Sequence, residues 1–155
     1  MFYWKYQEKI NSDILSVKTR LIVNDQQTFY NFFSIPKLLI AKNIDMCLLD
    51  CVPDEIKSKT YRIPERFIAF GELKGGIDPA GADEHWKTAQ TALTRIRTAF
   101  ANRDLSPDLF FIGAIIADSM AQEIWNQLKE GTLKNAANLT NPDQVASLAN
   151  WLVDL

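Results

Sequence analysis

The sequence predicts an α/β domain in which a strand hairpin is followed by a helical crossover to a third strand. Three observations carry this. Short apolar runs of strand length, "IDMCLLDC", "FIAFGELKGGI" and "DLFFIGAIIA", are bounded by polar or proline-containing segments. Apolar residues recur every three or four positions between and after them, the period of a helix face. The 155 residues suit one domain, and 47% hydrophobic against 23% charged residues is an ordinary globular balance.

Taken in order, residues 1–42 read as a helical lead-in and residues 43–155 as the α/β core. Ile10, Ile14, Leu15, Val17, Leu21 and Ile22 follow helical spacing. A second helical piece spans about 29–42, kinked or restarted at Pro36. "IDMCLLDC" is a buried strand ending at Val52-Pro53, and "PDEIKSKTYRIPER" is the polar hairpin connection. In "FIAFGELKGGI", alternation puts Phe67, Ala69, Gly71 and Leu73 on one face, and Ile68, Phe70, Glu72 and Lys74 on the other. Trp86, Ala89, Leu93, Ile96 and Phe100 mark a helix over about 82–101. "DLFFIGAIIA" is the third strand, and "SMAQEIWNQLKEG" a helix stopped by Gly131. Asn141 as N-cap with Pro142 at the first helical position opens the last helix. Trp86, Trp125 and Trp151 fall at positions expected to pack into the core.

Several classes are excluded. No apolar run reaches the roughly 18 residues of a membrane span. The opening "MFYWKYQEKI" lacks the pattern of a secretory signal, so a cytoplasmic protein is expected. Cys47 and Cys51 fit buried, reduced thiols, not a disulfide framework or a zinc motif. A net charge of −2 argues against a broad, non-specific nucleic-acid binder, but leaves room for acidic residues at a metal and basic ones at a groove.

The chemistry concentrates around Glu72 and Lys74, side by side on one strand face. Mg²⁺ takes hard oxygen ligands, commonly one or two carboxylates plus water and substrate phosphate. Glu72 can supply one carboxylate, and Lys74 can orient an attacking water and offset the charge of the transition state. A second carboxylate is needed on the adjacent strand. Asp45, followed at once by "MCLL", is preferred; Asp50, at the strand's other end, is the alternative, and Asp54 a distant third. The E-x-K spacing alone is weak: Glu55-Ile56-Lys57 repeats it in a polar loop, and an exposed ion pair at a strand end would look the same. Asp78-Pro79 has the form of an N-cap and first helical position. Gly75 and Gly76 either end the strand or let a ligand approach the backbone closely. Arg95, Arg97 and Arg103 suit phosphate contact or a solvated helix face.

"ELKGGIDPAGADEHWKTA", with "KNID" upstream, resembles the AvaI/BsoBI group of type II restriction endonucleases, within the PD-(D/E)xK nuclease superfamily. The resemblance implies a restriction-endonuclease-like core, a small mixed sheet flanked by helices. It implies that Asp45 and Glu72 bind the metal, that Lys74 is the active-site lysine, and that His85 lies close to the scissile phosphate as general base or phosphate ligand. It implies a basic residue near the site at Lys42 and a base contact at Asp78. Members of the group are homodimers that encircle double-stranded DNA, cut within C-Y-C-G-R-G using Mg²⁺, and leave 5′ overhangs. They are about twice this length, with a largely helical N-terminal half, so the chain corresponds to the C-terminal catalytic half. A truncated or split reading frame, with the N-terminal half encoded separately, and a deliberate fragment both fit this length. Two functional expectations follow: a nuclease, or an inactive truncated remnant or DNA-binding or dimerisation module of one.

Overall fold

In a computed structural model of the chain, residues 20–24, 44–51, 62–76 and 79–155 are described. Five strands form one sheet in sequential order: β1 (Arg20–Asn24), β2 (Met46–Asp50), β3 (Phe67–Lys74), β4 (Asp108–Gly113) and β5 (Asn135–Asn138). The first three strands pair antiparallel, and β3, β4 and β5 pair parallel. Among the described residues, three α-helices flank the sheet: α1 (Pro79–Ala101), α2 (Asp118–Glu130) and α3 (Pro142–Asp154). This is the mixed α/β architecture expected, with the crossover helix α1 joining β3 to β4.

The sheet is covered on both faces, as its parallel half requires. On one face Leu49, Phe67, Phe70, Leu109 and Phe111 meet Trp86, Leu93, Ile96 and Phe100 of α1 and Met120 and Ile124 of α2. Phe67 and Phe70 stack at 4.9 Å, and Phe70 lies 5.1 Å from Phe100. On the other face Leu48, Ala69, Phe110, Ile112 and Ala137 meet Leu148, Trp151 and Leu152 of α3. Gly71 registers with Phe110 on β4, and a Cβ there would fall 2.2 Å from the Phe110 ring. The missing side chain at Gly71 therefore makes room for an aromatic ring that packs edge-on against Trp151 at 5.8 Å.

Helix ends follow local chemistry. α2 stops at Gly131. The Asn141 side chain accepts hydrogen bonds from the backbone N–H of Asp143 and Gln144, with Pro142 next in line, so α3 starts where expected. Cys47 and Cys51 are both buried.

Four expectations are corrected. Residues 20–24, read as the end of a helix, form edge strand β1 paired with β2; consecutive Leu21-Ile22-Val23 suits a strand, and the partner edge decides it. The rest of the helical lead-in, and the hairpin connection over 52–61, lie outside the described residues. Phe67 does not share a face with Ala69. The β2–β3 register steps so that Leu48 faces Ala69 and Leu49 faces Phe67, and this bulge at Ile68 reverses the alternation before it. Strand β5, "NAAN", was not expected, because nothing in it is strongly apolar. Trp125 does not pack into the core: it is 57% exposed on α2, while Trp86 is fully buried and Trp151 half-buried.

Candidate active site

Antiparallel pairing of β2 and β3 brings the start of one beside the end of the other. Met46 pairs with Gly71, so Asp45 stands next to the last residues of β3. β3 runs beyond this pairing, and the Asp45 carboxylate takes over where a backbone acceptor would have been: Oδ2 accepts from the Leu73 N–H at 2.9 Å. The same oxygen accepts from Lys74 Nζ at 3.1 Å. Lys74 Nζ also donates to Glu72 Oε2 at 2.8 Å. One ammonium thus bridges two carboxylates, one from the residue that leads into β2 and one from β3. On the other side of β3, Lys74 registers with Gly113, and its carbonyl accepts from the Ala114 N–H at 2.8 Å. The cluster therefore lies at the carboxyl ends of the parallel pair β3–β4, a common location for sites in open α/β sheets.

Glu72 is not part of an exposed ion pair. Its register partner is Phe111, on the face roofed by α1, and it is 3% exposed. Burial pushes its carboxyl up from 4.5 to about 7, with Lys74 opposing this and the Asp45 charge reinforcing it. Oε1 of Glu72 is buried with no hydrogen-bond partner among the described residues. Burial pulls the Lys74 ammonium down, but Glu72 and Asp45 together outweigh it and hold the group above its ordinary value.

Asp50 lies elsewhere. It sits at the far end of β2, roughly 16 Å along the strand from Asp45 at ~3.3 Å per residue. There Arg66 holds it: Nη1 donates to the Asp50 carbonyl at 3.1 Å and lies 3.8 Å from its carboxylate. The structure thus gathers Asp45, not Asp50, with Glu72 and Lys74. Lys42, Asp54, the Glu55–Lys57 repeat and Asp78 lie outside the described residues.

His85 is exposed near the start of α1. A helical side chain leans back over the residue four before it, here Gly81. The imidazole reaches past that turn to the exit of β3, so that a Cβ at Gly76 would lie 2.5 Å from Nε2. Its neighbour Trp86 anchors the helix: the indole packs edge-on against Phe111 at 5.0 Å and donates from Nε1 to Glu123 at 2.6 Å. Sequence reasoning missed this Glu123 contact, which joins residues 37 apart and leaves no local pattern. Arg97, one of the candidate phosphate contacts, instead donates to the Thr132 carbonyl at 2.7 Å; Arg95 and Arg103 are exposed.

No group of three or more His, Cys, Asp or Glu side chains suited to a metal is found among the described residues. The donor set is a pair, Asp45 and Glu72, which suits Mg²⁺ because that ion keeps most of its water. The unpartnered, buried Oε1 of Glu72 supports the fit: a carboxylate oxygen withdrawn from water calls for a cation or a donor.

A mixed sheet with one carboxylate at the entry to a strand, a second on its antiparallel neighbour and a lysine two residues after the second defines a restriction-endonuclease-like α/β domain. The chain belongs to the family described as "Restriction endonuclease BsobI", whose model matches residues 5–155. It is 57% identical over 129 residues to the type II restriction enzyme AvaI of Nostoc sp., covering 83% of this chain and 40% of that protein. The type II restriction enzyme AvaI of Anabaena variabilis matches to the same extent. The type II restriction enzyme BsoBI of Geobacillus stearothermophilus is 54% identical over 124 residues, covering 79% of this chain and 38% of that protein. The chain spans about two-fifths of the length of these curated relatives. No helix among the described residues is long and apolar enough to cross a membrane.

Proposed function

We propose that the chain is the catalytic domain of a type II site-specific deoxyribonuclease that hydrolyses double-stranded DNA with Mg²⁺ within a C-Y-C-G-R-G site. The observation that carries this is the bridge of Lys74 between Asp45 and the buried Glu72 at the carboxyl end of β3. Asp45 and Glu72 would hold the ion. When bound, it supplies charge neutralisation at the phosphate and activates water.

The chain's own groups do the rest. Lys74 turns its ammonium to an anionic oxygen of the substrate, offsets the charge that builds there and orients the water. Asp45 keeps its bond to the Leu73 N–H and so stays fixed to the strand end. His85 meets the substrate from the α1 side. Asp78 contacts a base, and Lys42 adds a basic group beside the site. The partner is double-stranded DNA gripped by a homodimer in the cytoplasm.

A second reading is a module that binds DNA or dimerises without cutting. Incubating the purified chain with plasmid and Mg²⁺, with and without a companion N-terminal half, separates the two. Discrete site-specific cutting, abolished in Glu72→Ala, supports the nuclease. No cutting in either condition supports the module.

A further inference from the structure

We infer that Gly76 is a positioning residue: its missing side chain is the seat of the His85 imidazole beside the catalytic strand end. The two glycines after Lys74 look interchangeable in sequence, yet they differ in what surrounds them. A Cβ at Gly75 would meet nothing within 4 Å. A Cβ at Gly76 would lie 2.5 Å from His85 Nε2 and 2.8 Å from Cδ2, inside any tolerable contact. Neither glycine has a positive φ, so the turn itself does not demand glycine at either place. The space at position 76 is used by the ring.

The seat has a second wall. A Cβ at Gly81, one turn before His85, would lie 3.6 Å from Nε2, an ordinary contact. The imidazole is thus held between the strand exit and the first turn of α1. Gly76 is two residues beyond Lys74 in the sequence, so the seat holds the ring beside the exit of β3. His85 is exposed, and the atoms facing Gly76 are the far end of its side chain. An added methyl group therefore displaces the ring by rotation and leaves the core intact.

The test uses the 155-residue chain and its single histidine as reporter. Imidazole ring resonances are recorded by NMR at fixed pH, without DNA or metal, for the parent, Gly75→Ala and Gly76→Ala. The expected result is a clear shift in Gly76→Ala and parent-like resonances in Gly75→Ala. Unmoved resonances in Gly76→Ala, or equal shifts in both, would overturn the inference. So would a Gly76→Ala chain that gives no folded spectrum, because the exposed ring should yield first. The role in catalysis rests on the nuclease reading and is read separately. Gly76→Ala should lose as much cleavage as His85→Ala, with the double variant losing no more; full cleavage by Gly76→Ala beside a crippled His85→Ala would refute positioning. If the parent cuts nothing even when supplied with the family's N-terminal half, the nuclease reading fails, and the spectra alone decide whether Gly76 seats the ring.

Discussion

Glu72→Gln should stabilise the metal-free chain at alkaline pH, and by an amount that the burial of Glu72 sets. The carboxyl titrates near 4.5 in the unfolded chain and is raised to about 7 in the fold, burial being the main cause. Between those values the folded chain binds more protons than the unfolded one, so stability falls as pH rises through this window. The raised carboxyl corresponds to roughly 3 kcal/mol of destabilisation once the group is ionised in both states, at about 1.36 kcal/mol per unit. Most of that destabilisation, roughly 2–3 kcal/mol, builds up between about pH 5 and pH 8. Lys74 does not confuse the measurement. Its raised value gives stability that is present throughout this range and is lost only as pH climbs past its own titration, well above 8. The assay is urea denaturation of parent and Glu72→Gln at several pH values without divalent ions. The stability difference between variant and parent should grow by roughly 2–3 kcal/mol from about pH 5 to about pH 8. Adding Mg²⁺ at the upper pH should recover stability in the parent alone, because the ion favours the ionised carboxylate. A difference that stays flat with pH, or shrinks, would refute the reasoning that Glu72 is destabilised by burial.

Other outcomes follow from single contacts. Asp45→Asn should weaken Mg²⁺ binding at least tenfold, measured by calorimetry, whereas Asp50→Asn, at the far end of β2 against Arg66, should leave it unchanged. Gly71→Ala should cost about 1–3 kcal/mol in thermal denaturation, because its methyl group would collide with the buried Phe110 ring. Asn141→Ala should cost about 0.5–2 kcal/mol in the same measurement, through loss of the α3 cap. Mg²⁺ affinity should tighten about tenfold per pH unit below the Glu72 titration near 7 and level off above it, as one proton leaves for each ion bound.

The strands that carry the site were legible because their side chains are buried on both faces and read as unbroken apolar runs. Asp45 could be preferred to Asp50 because a strand that opens on a carboxylate fixes it by packing, and the antiparallel register then brings it to Glu72. What escaped depended on contacts distant in sequence. Phe67 turned over because a bulge set by β2 lies at Ile68, and no local pattern announces a bulge. β5 is four residues of Asn and Ala, made a strand by the open edge of β4 and the cover of α3. Leu21 and Ile22 fitted both a helical spacing and a strand, and pairing with β2 selected the strand. Trp125 has the spacing of a core residue, yet Met120 and Ile124 define the buried side of α2. At the site, alternation alone set Glu72 beside Lys74, but burial of Glu72 and the seat at Gly76 needed α1 folded over the strand end.

The most direct test is cleavage of a DNA duplex carrying one C-Y-C-G-R-G site, with Mg²⁺, by the parent chain supplied with the family's N-terminal half, beside Glu72→Ala and Lys74→Ala. The account predicts cutting inside the site by the parent, with 5′ overhangs, and loss of at least a hundredfold in each variant. Equal cutting by parent and variants would contradict it.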